Sequence, residues 1–120
     1  MQRLDISNNK IQRIPENIGN CAQLRFLYAH SNEIVALPKT LGECFRLEFM
    51  DVSHNMLREI PEDMEHLIFL AHLDLSANML IQLPHKLGSC SKVNKQTNKQ
   101  TNKQTNKQTN KQTNKQTNEQ

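Results

Sequence analysis

In LEFMDVSHNMLREIPEDMEHLIF (residues 47–69), an asparagine at Asn55 is followed by a proline at Pro61, and both recur along the chain at one spacing. Asparagines stand at Asn9, Asn32, Asn55 and Asn78, and prolines at Pro15, Pro38, Pro61 and Pro84; both series step by 23 residues. A fixed period of this length is the mark of a repeat architecture, in which each unit buries its apolar face only against its neighbours. The chain divides into copies at residues 1–23, 24–46, 47–69 and 70–92. All four prolines fall in one column, and all three glycines (Gly19, Gly42, Gly88) fall in another, where the third copy has Glu65.

The apolar columns set the local structure. Leu4 and Ile6, like Leu73 and Leu75, lie two apart, which puts both on one face of a short strand. Three residues later comes the asparagine, whose amide offers donors and an acceptor to backbone groups of a neighbouring coil. An apolar pair (Ile11 and Ile14, Ile34 and Leu37, Leu57 and Ile60, Leu80 and Leu83) leads into the proline. The chain then turns back along the outer side, with Ile18, Leu41, Met64 and Leu87 filling the core.

Written as one pattern, LxxLxLxxNxLxxLPxxLGxC, these columns resemble the leucine-rich repeat family across residues 1–92. The length of the unit and its IP or LP step are most similar to the intracellular Ras-group and scribble-type members. The resemblance implies an α/β solenoid: a horseshoe fragment of four coils, with short parallel strands on the concave face and turns or 3₁₀ segments on the convex face. It also implies a protein-interaction platform, a scaffold or adaptor, with small-GTPase or polarity signalling as its setting. Departures are mild: Met1 holds the first leucine position, Ala29 is small for a core column, and Met50 replaces a leucine.

The candidate chemistry is sparse. Cys21, Cys44 and Cys90 share a column with Leu67, which marks it as a core column where free cysteine acts as a small hydrophobe. No CxxC or close Cys/His pairing suggests zinc. His66 and His85 fall on the convex return; His30, His54 and His72 fall on or beside the concave strands, where surface polarity is the better reading than metal ligation. Nucleophile motifs, glycine-rich phosphate loops and paired catalytic acids are lacking, so neither enzyme activity, nor a cofactor, nor a metal is expected.

Function is expected instead in the outward strand columns. One reads Arg3, Phe26, Phe49, His72 and the other Asp5, Tyr28, Asp51, Asp74. Phe26, Tyr28 and Phe49 on adjacent coils form a candidate patch for a protein partner, flanked by Asp51, His72 and Asp74. Phe45 and Phe69 are left near the convex side.

The tail is a different kind of sequence. Residues 94–120 repeat Asn-Lys-Gln-Thr, with six lysines against one glutamate and no apolar side chain. They account for the whole net charge of +3, because nine basic and eleven acidic residues remain in 1–93. A segment with nothing to bury cannot offset the backbone entropy of ordering, about 1–2 kcal/mol per residue, so disorder is expected. A helix would stack lysines at i,i+4 and is disfavoured. Non-specific nucleic-acid binding and a spacer role are open alternatives, the first weakened by the lack of any ring to stack on a base. In any frame the tetranucleotide AAAC encodes this cycle, and one A-to-G change yields glutamate, as at Glu119. The tail is therefore expected to be a translated simple-sequence tract cutting into a longer repeat gene, an idea that varied synonymous codons would sink.

No apolar run spans a membrane and no signal core follows Met1, which by default places the chain in the cytoplasm with reduced thiols. Without polar caps the end coils should fray or self-associate, and a fifth copy would put Gln96 where the next core leucine belongs. The rival to an adaptor is a targeting arm of a larger repeat-containing kinase or GTPase.

Overall fold

The computed structural model describes residues 1–83 and the strand at 93–94. Each of the first three copies makes one coil, and the fourth is described to residue 83. A three-residue strand is followed by a bend, an extended run, and, in the first three coils, a five-residue 3₁₀ helix that returns to the next strand. The strands are β1 (Arg3–Asp5), β2 (Phe26–Tyr28), β3 (Phe49–Asp51), β4 (His72–Asp74) and β5 (Val93–Asn94), pairing in that order in one parallel sheet. Parallel neighbours need a long crossover, and the rest of each of the first three copies supplies it.

Register follows the period. Arg3 pairs with Phe26, Phe26 with Phe49, and Phe49 with His72, so every sequence column becomes a row across the sheet. The inward residues Leu27, Met50 and Leu73 are fully buried, as are Leu24, Ala29, Ile34, Leu41, Leu47, Val52 and Leu57. Each large side chain among them contributes about 1.5–3 kcal/mol of transfer free energy. Leu4, Ile6 and Ile11 in the first coil pack on this core but are only partly covered, since they have a neighbouring coil on one side.

The prolines open the 3₁₀ helices. Pro15, Pro38 and Pro61 are extended, and their carbonyls accept from the N–H of Ile18, Leu41 and Met64 at 3.1 Å. A proline fits because the first residue of such a turn has no acceptor for an N–H. The glycine column has a steric cause: a Cβ on Gly42 would come within 2.4 Å of the Asp63 carbonyl oxygen in the next coil. The convex side can stack this closely only where a side chain is missing.

At the bend after each strand, Asn8, Ser31, His54 and Ala77 all take a left-handed conformation, with φ between 54° and 60°. This conformation swings the following asparagine inward. Asn32, Asn55 and Asn78 are buried. The Asn55 amide oxygen accepts from Ile34 N–H at 3.0 Å, and its nitrogen donates to the carbonyls of Ala29, Val52 and Ser53 at 3.0–3.1 Å. Asn32 and Asn78 reach back to the previous coil in the same way, to Ile6 O and Val52 O. Asn9 has no previous coil within the described residues, and its amide nitrogen serves only Ile6 O and Ser7 O of its own coil.

The fifth strand departs from the expected step. Val93 pairs with Leu73, and Asn94 with Asp74, a spacing of 20 residues where the earlier strands keep 23. The 23-residue step would bring Gln96 opposite Leu73, whereas the shorter one sets Val93 opposite it. Gln96 itself, the remainder of the tail, and Pro84, His85, Leu87, Gly88 and Cys90 lie outside the described residues.

Candidate functional site

Because columns become rows, the outward strand residues form two rows on the concave face. The rings in them contact one another. Tyr28 and Phe49 lie tilted with centroids 5.1 Å apart, and Phe49 and His72 stack in parallel at 4.4 Å. Arg3 lays its guanidinium over the Tyr28 ring at 4.3 Å, closing a run of four side chains from β1 to β4. Phe26 stands beside this run, covered by Arg25 at 5.2 Å. Arg25 is held in turn by a bidentate pair with Glu48, at 2.9 and 3.2 Å. That pair draws the Glu48 carboxyl below its usual range, chiefly through the donated hydrogen bonds.

Phe26, Tyr28, Phe49 and His72 are consequently half-covered, and the most exposed aromatics lie elsewhere. Phe45 and Phe69 are 56% and 61% exposed and Ile68 is 77% exposed, on the loops that lead into the strands. Val35, Met56, Met79 and Ile81 are also exposed, in the segments after the bends. Sequence reasoning singled out none of these as a surface, because they occupy columns that the repeat pattern leaves free.

The carboxylates of the second row are less free than column position suggests. Asp51 Oδ1 accepts from the Ser53 N–H at 3.0 Å and from its hydroxyl at 2.6 Å. Asp74 takes the same two donors from Ser76, and Asp5 takes the Ser7 N–H, which lowers the Asp5 pKa. The Asp-x-Ser spacing recurs in copies one, three and four and was available in the sequence as a signal. It engages one oxygen of each acid within its own coil.

His30 pairs with Ser31 at 3.0 Å, and His54 and His66 are exposed. Among the described residues, no group of three or more Cys, His, Asp or Glu side chains is placed to hold a metal ion. Cys44 is buried and donates its thiol to Ile18 O at 3.3 Å; burial pushes its pKa up to about 11, with Cys21 and Glu43 adding to the rise. Such a thiol is a poor nucleophile at neutral pH. No helix among the described residues is long and apolar enough to cross a membrane.

Comparison with known proteins agrees with this geometry. The family model for Leucine Rich Repeat matches residues 1–21 and 46–67. A leucine-rich repeat protein of Leptospira interrogans is 34% identical, with a TM-score of 0.73, over 78% of this chain and 24% of that one. InlP of Listeria monocytogenes is 26% identical, with a TM-score of 0.66, over 78% of this chain and 25% of its own. The chain thus spans about a quarter of the length of either structure. A search of curated proteins gave no match. The strand rows, the matched repeats and the two structures converge on one architecture: the fold of this chain is a leucine-rich repeat solenoid.

Proposed function

We propose that the chain is a protein-interaction module that binds a partner protein on its concave face, through Tyr28, Phe49 and His72 with Phe26 beside them and Asp51 and Asp74 along the edge. The observation that supports this reading most is the continuous run from Arg3 through Tyr28 and Phe49 to His72. Solenoids of this kind serve in general as extended concave binding surfaces. Rings that already stack on each other lose little side-chain freedom on binding, so they act as pre-organised anchors. The half-engaged carboxylates supply orientation to a basic or hydrogen-bond-donating partner. The family resemblance supports a finer setting, a small GTPase or a signalling complex in the cytoplasm.

The test pairs partner capture with the variant Tyr28→Ala/Phe49→Ala. Proximity labelling with wild type and with the double variant should enrich a set of proteins that the variant loses, while circular dichroism and melting show a solenoid still folded. The finer setting is checked by titrating small GTPases in both nucleotide states. A double variant that is folded and retains every wild-type partner refutes the concave reading.

A further inference from the structure

In the segments after the bends, the coils run side by side a second time. Met56 N–H donates to Ile34 O at 2.9 Å, Met79 N–H to Leu57 O at 2.8 Å and Ile81 N–H to Arg58 O at 3.1 Å, and Arg13 bridges to Ala36 in parallel. Burial alternates along these runs. In coil three Met56 and Arg58 are exposed and Leu57 between them is fully buried; in coil two Glu33 and Val35 are exposed around the fully buried Ile34. Every second side chain therefore points outward from an extended backbone, and columns become rows here as they do on the concave sheet.

Two outward rows result. One reads Lys10, Glu33, Met56, Met79 and the other Gln12, Val35, Arg58, Ile81. Arg58 stands between Val35 and Ile81 in its own row, with Met56 two residues before it and Met79 on the diagonal. Hydrogen-bonded neighbours in such a ladder lie about 4.8 Å apart, so four apolar side chains border one arginine. Val35 is 46% exposed and Met56 41%, and both belong, like Arg58, to coils with a described coil on either side. Their exposure is a property of this flank.

The charge at the centre of this frame is unmatched. Arg3 lies over Tyr28 and Arg25 is paired with Glu48, but among the described residues the Arg58 guanidinium has neither an ion pair nor a ring contact. Exposed Glu33 and Glu59 do not pair with it. Methionine and arginine are enriched at the centres of protein interfaces, where a rim of apolar contacts keeps water from a charged anchor. A carboxylate seated on Arg58 gains a bidentate, water-excluded pair. A neutral apolar partner would bury the cation unpaired, and a basic one would repel it. The backbone beneath is held by the asparagine ladder, since Asn55 and Asn78 take the N–H groups of Ile34 and Leu57, so binding has little ordering cost on this side.

We infer that this flank is a second docking surface, separate from the concave face, which takes a partner-protein segment carrying a carboxylate between apolar side chains, with Arg58 as the charged anchor.

The experiment selects a random peptide library on the full chain and, in parallel, on the Arg58→Glu variant. Peptides selected on the wild type should include a class with Asp or Glu between apolar residues. Arg58→Ala and Met56→Ser/Met79→Ser should each weaken that class at least about tenfold, whereas Tyr28→Ala/Phe49→Ala should leave it within about twofold of wild type. Arg58→Glu should select Lys or Arg in place of the acid. Because a misfolded variant cannot acquire the opposite preference, that switch also controls for folding. Three results overturn the inference: a library that yields no peptide dependent on Arg58; Arg58-dependent peptides that carry no acidic residue; or acidic peptides that bind Arg58→Ala as well as wild type and are lost with Tyr28→Ala/Phe49→Ala, which would assign them to the concave face.

Discussion

Replacing Asn55 by alanine tests how the solenoid satisfies its interior backbone. The side chain is 7% exposed and makes four hydrogen bonds. Its loss does not orphan all four partners. Ala29 O still accepts from Asn32, Val52 O from Asn78, and Ser53 O from the Ser31 N–H. Ile34 N–H is different, because the Asn55 oxygen is its acceptor and no other takes its place. One buried unpaired donor costs about 1–3 kcal/mol, and for a domain of this size each kcal/mol lowers the melting temperature by about 4–8 °C. Asn55→Ala should therefore melt roughly 10 °C below wild type in a far-UV circular dichroism scan. Asn9→Ala is the internal control, since Asn9 is exposed and serves only its own coil, and about 1 kcal/mol or less is expected. Asn55→Asp adds a pH arm. Its carboxyl would keep an acceptor for Ile34 but face three carbonyl oxygens, so its folded pKa must lie above the unfolded value. Stability is then retained below about pH 4, the unfolded carboxyl value, and lost as pH rises through the folded pKa. Equal melting of Asn55→Ala and Asn9→Ala, or a pH-independent Asn55→Asp, would refute the reasoning.

Two further outcomes follow from the packing. Gly42→Ala should destabilise the solenoid by about 1–3 kcal/mol, because the added methyl meets backbone of the next coil and can be accommodated only if the convex turns separate; urea unfolding that matches wild type would show that the turns are not held at that spacing. Cys21 should react with a maleimide under native conditions well before Cys44, whose buried thiol donates to Ile18 O and has a raised pKa; site-resolved mass spectrometry that finds Cys44 labelled first would contradict its burial.

The period made the fold legible because a parallel stack turns sequence spacing directly into register. Once Leu27, Met50 and Leu73 share a column, their rows, their burial and the strands around them follow. What the period could not convey is direction and end effects. It gives Asn9 and Asn55 the same letter, but only an asparagine with a coil before it reaches back across 21 and 26 residues to Ile34 N and Ala29 O. Nor does a column predict how its members cover one another. Phe49 looks exposed by column, yet Tyr28 on one side and His72 on the other leave it half-buried. The 20-residue step to β5 likewise departs from the period that the earlier strands keep.

The same register creates a problem in the second concave row. Asp51 and Asp74 are cross-strand partners, and like charges directly opposite each other are destabilising. Ser53 and Ser76 each direct a backbone N–H and a hydroxyl at the Oδ1 of the acid two residues earlier. These donors hydrogen-bond each carboxylate within its own coil and tie its orientation to the bend rather than to the neighbouring acid. In coil two the column holds Tyr28 instead, whose ring joins Arg3 to Phe49. The concave face is therefore graded along the solenoid: a guanidinium and ring stack toward β1, paired carboxylates beside rings toward β4. A partner that reads this face must match the grade, with a basic or donor-rich element over Asp51 and Asp74 and an apolar or aromatic one over Tyr28. For the partner proposed above, reversal end for end would set its basic element toward Arg3, and that charge mismatch would give the proposed contact a direction.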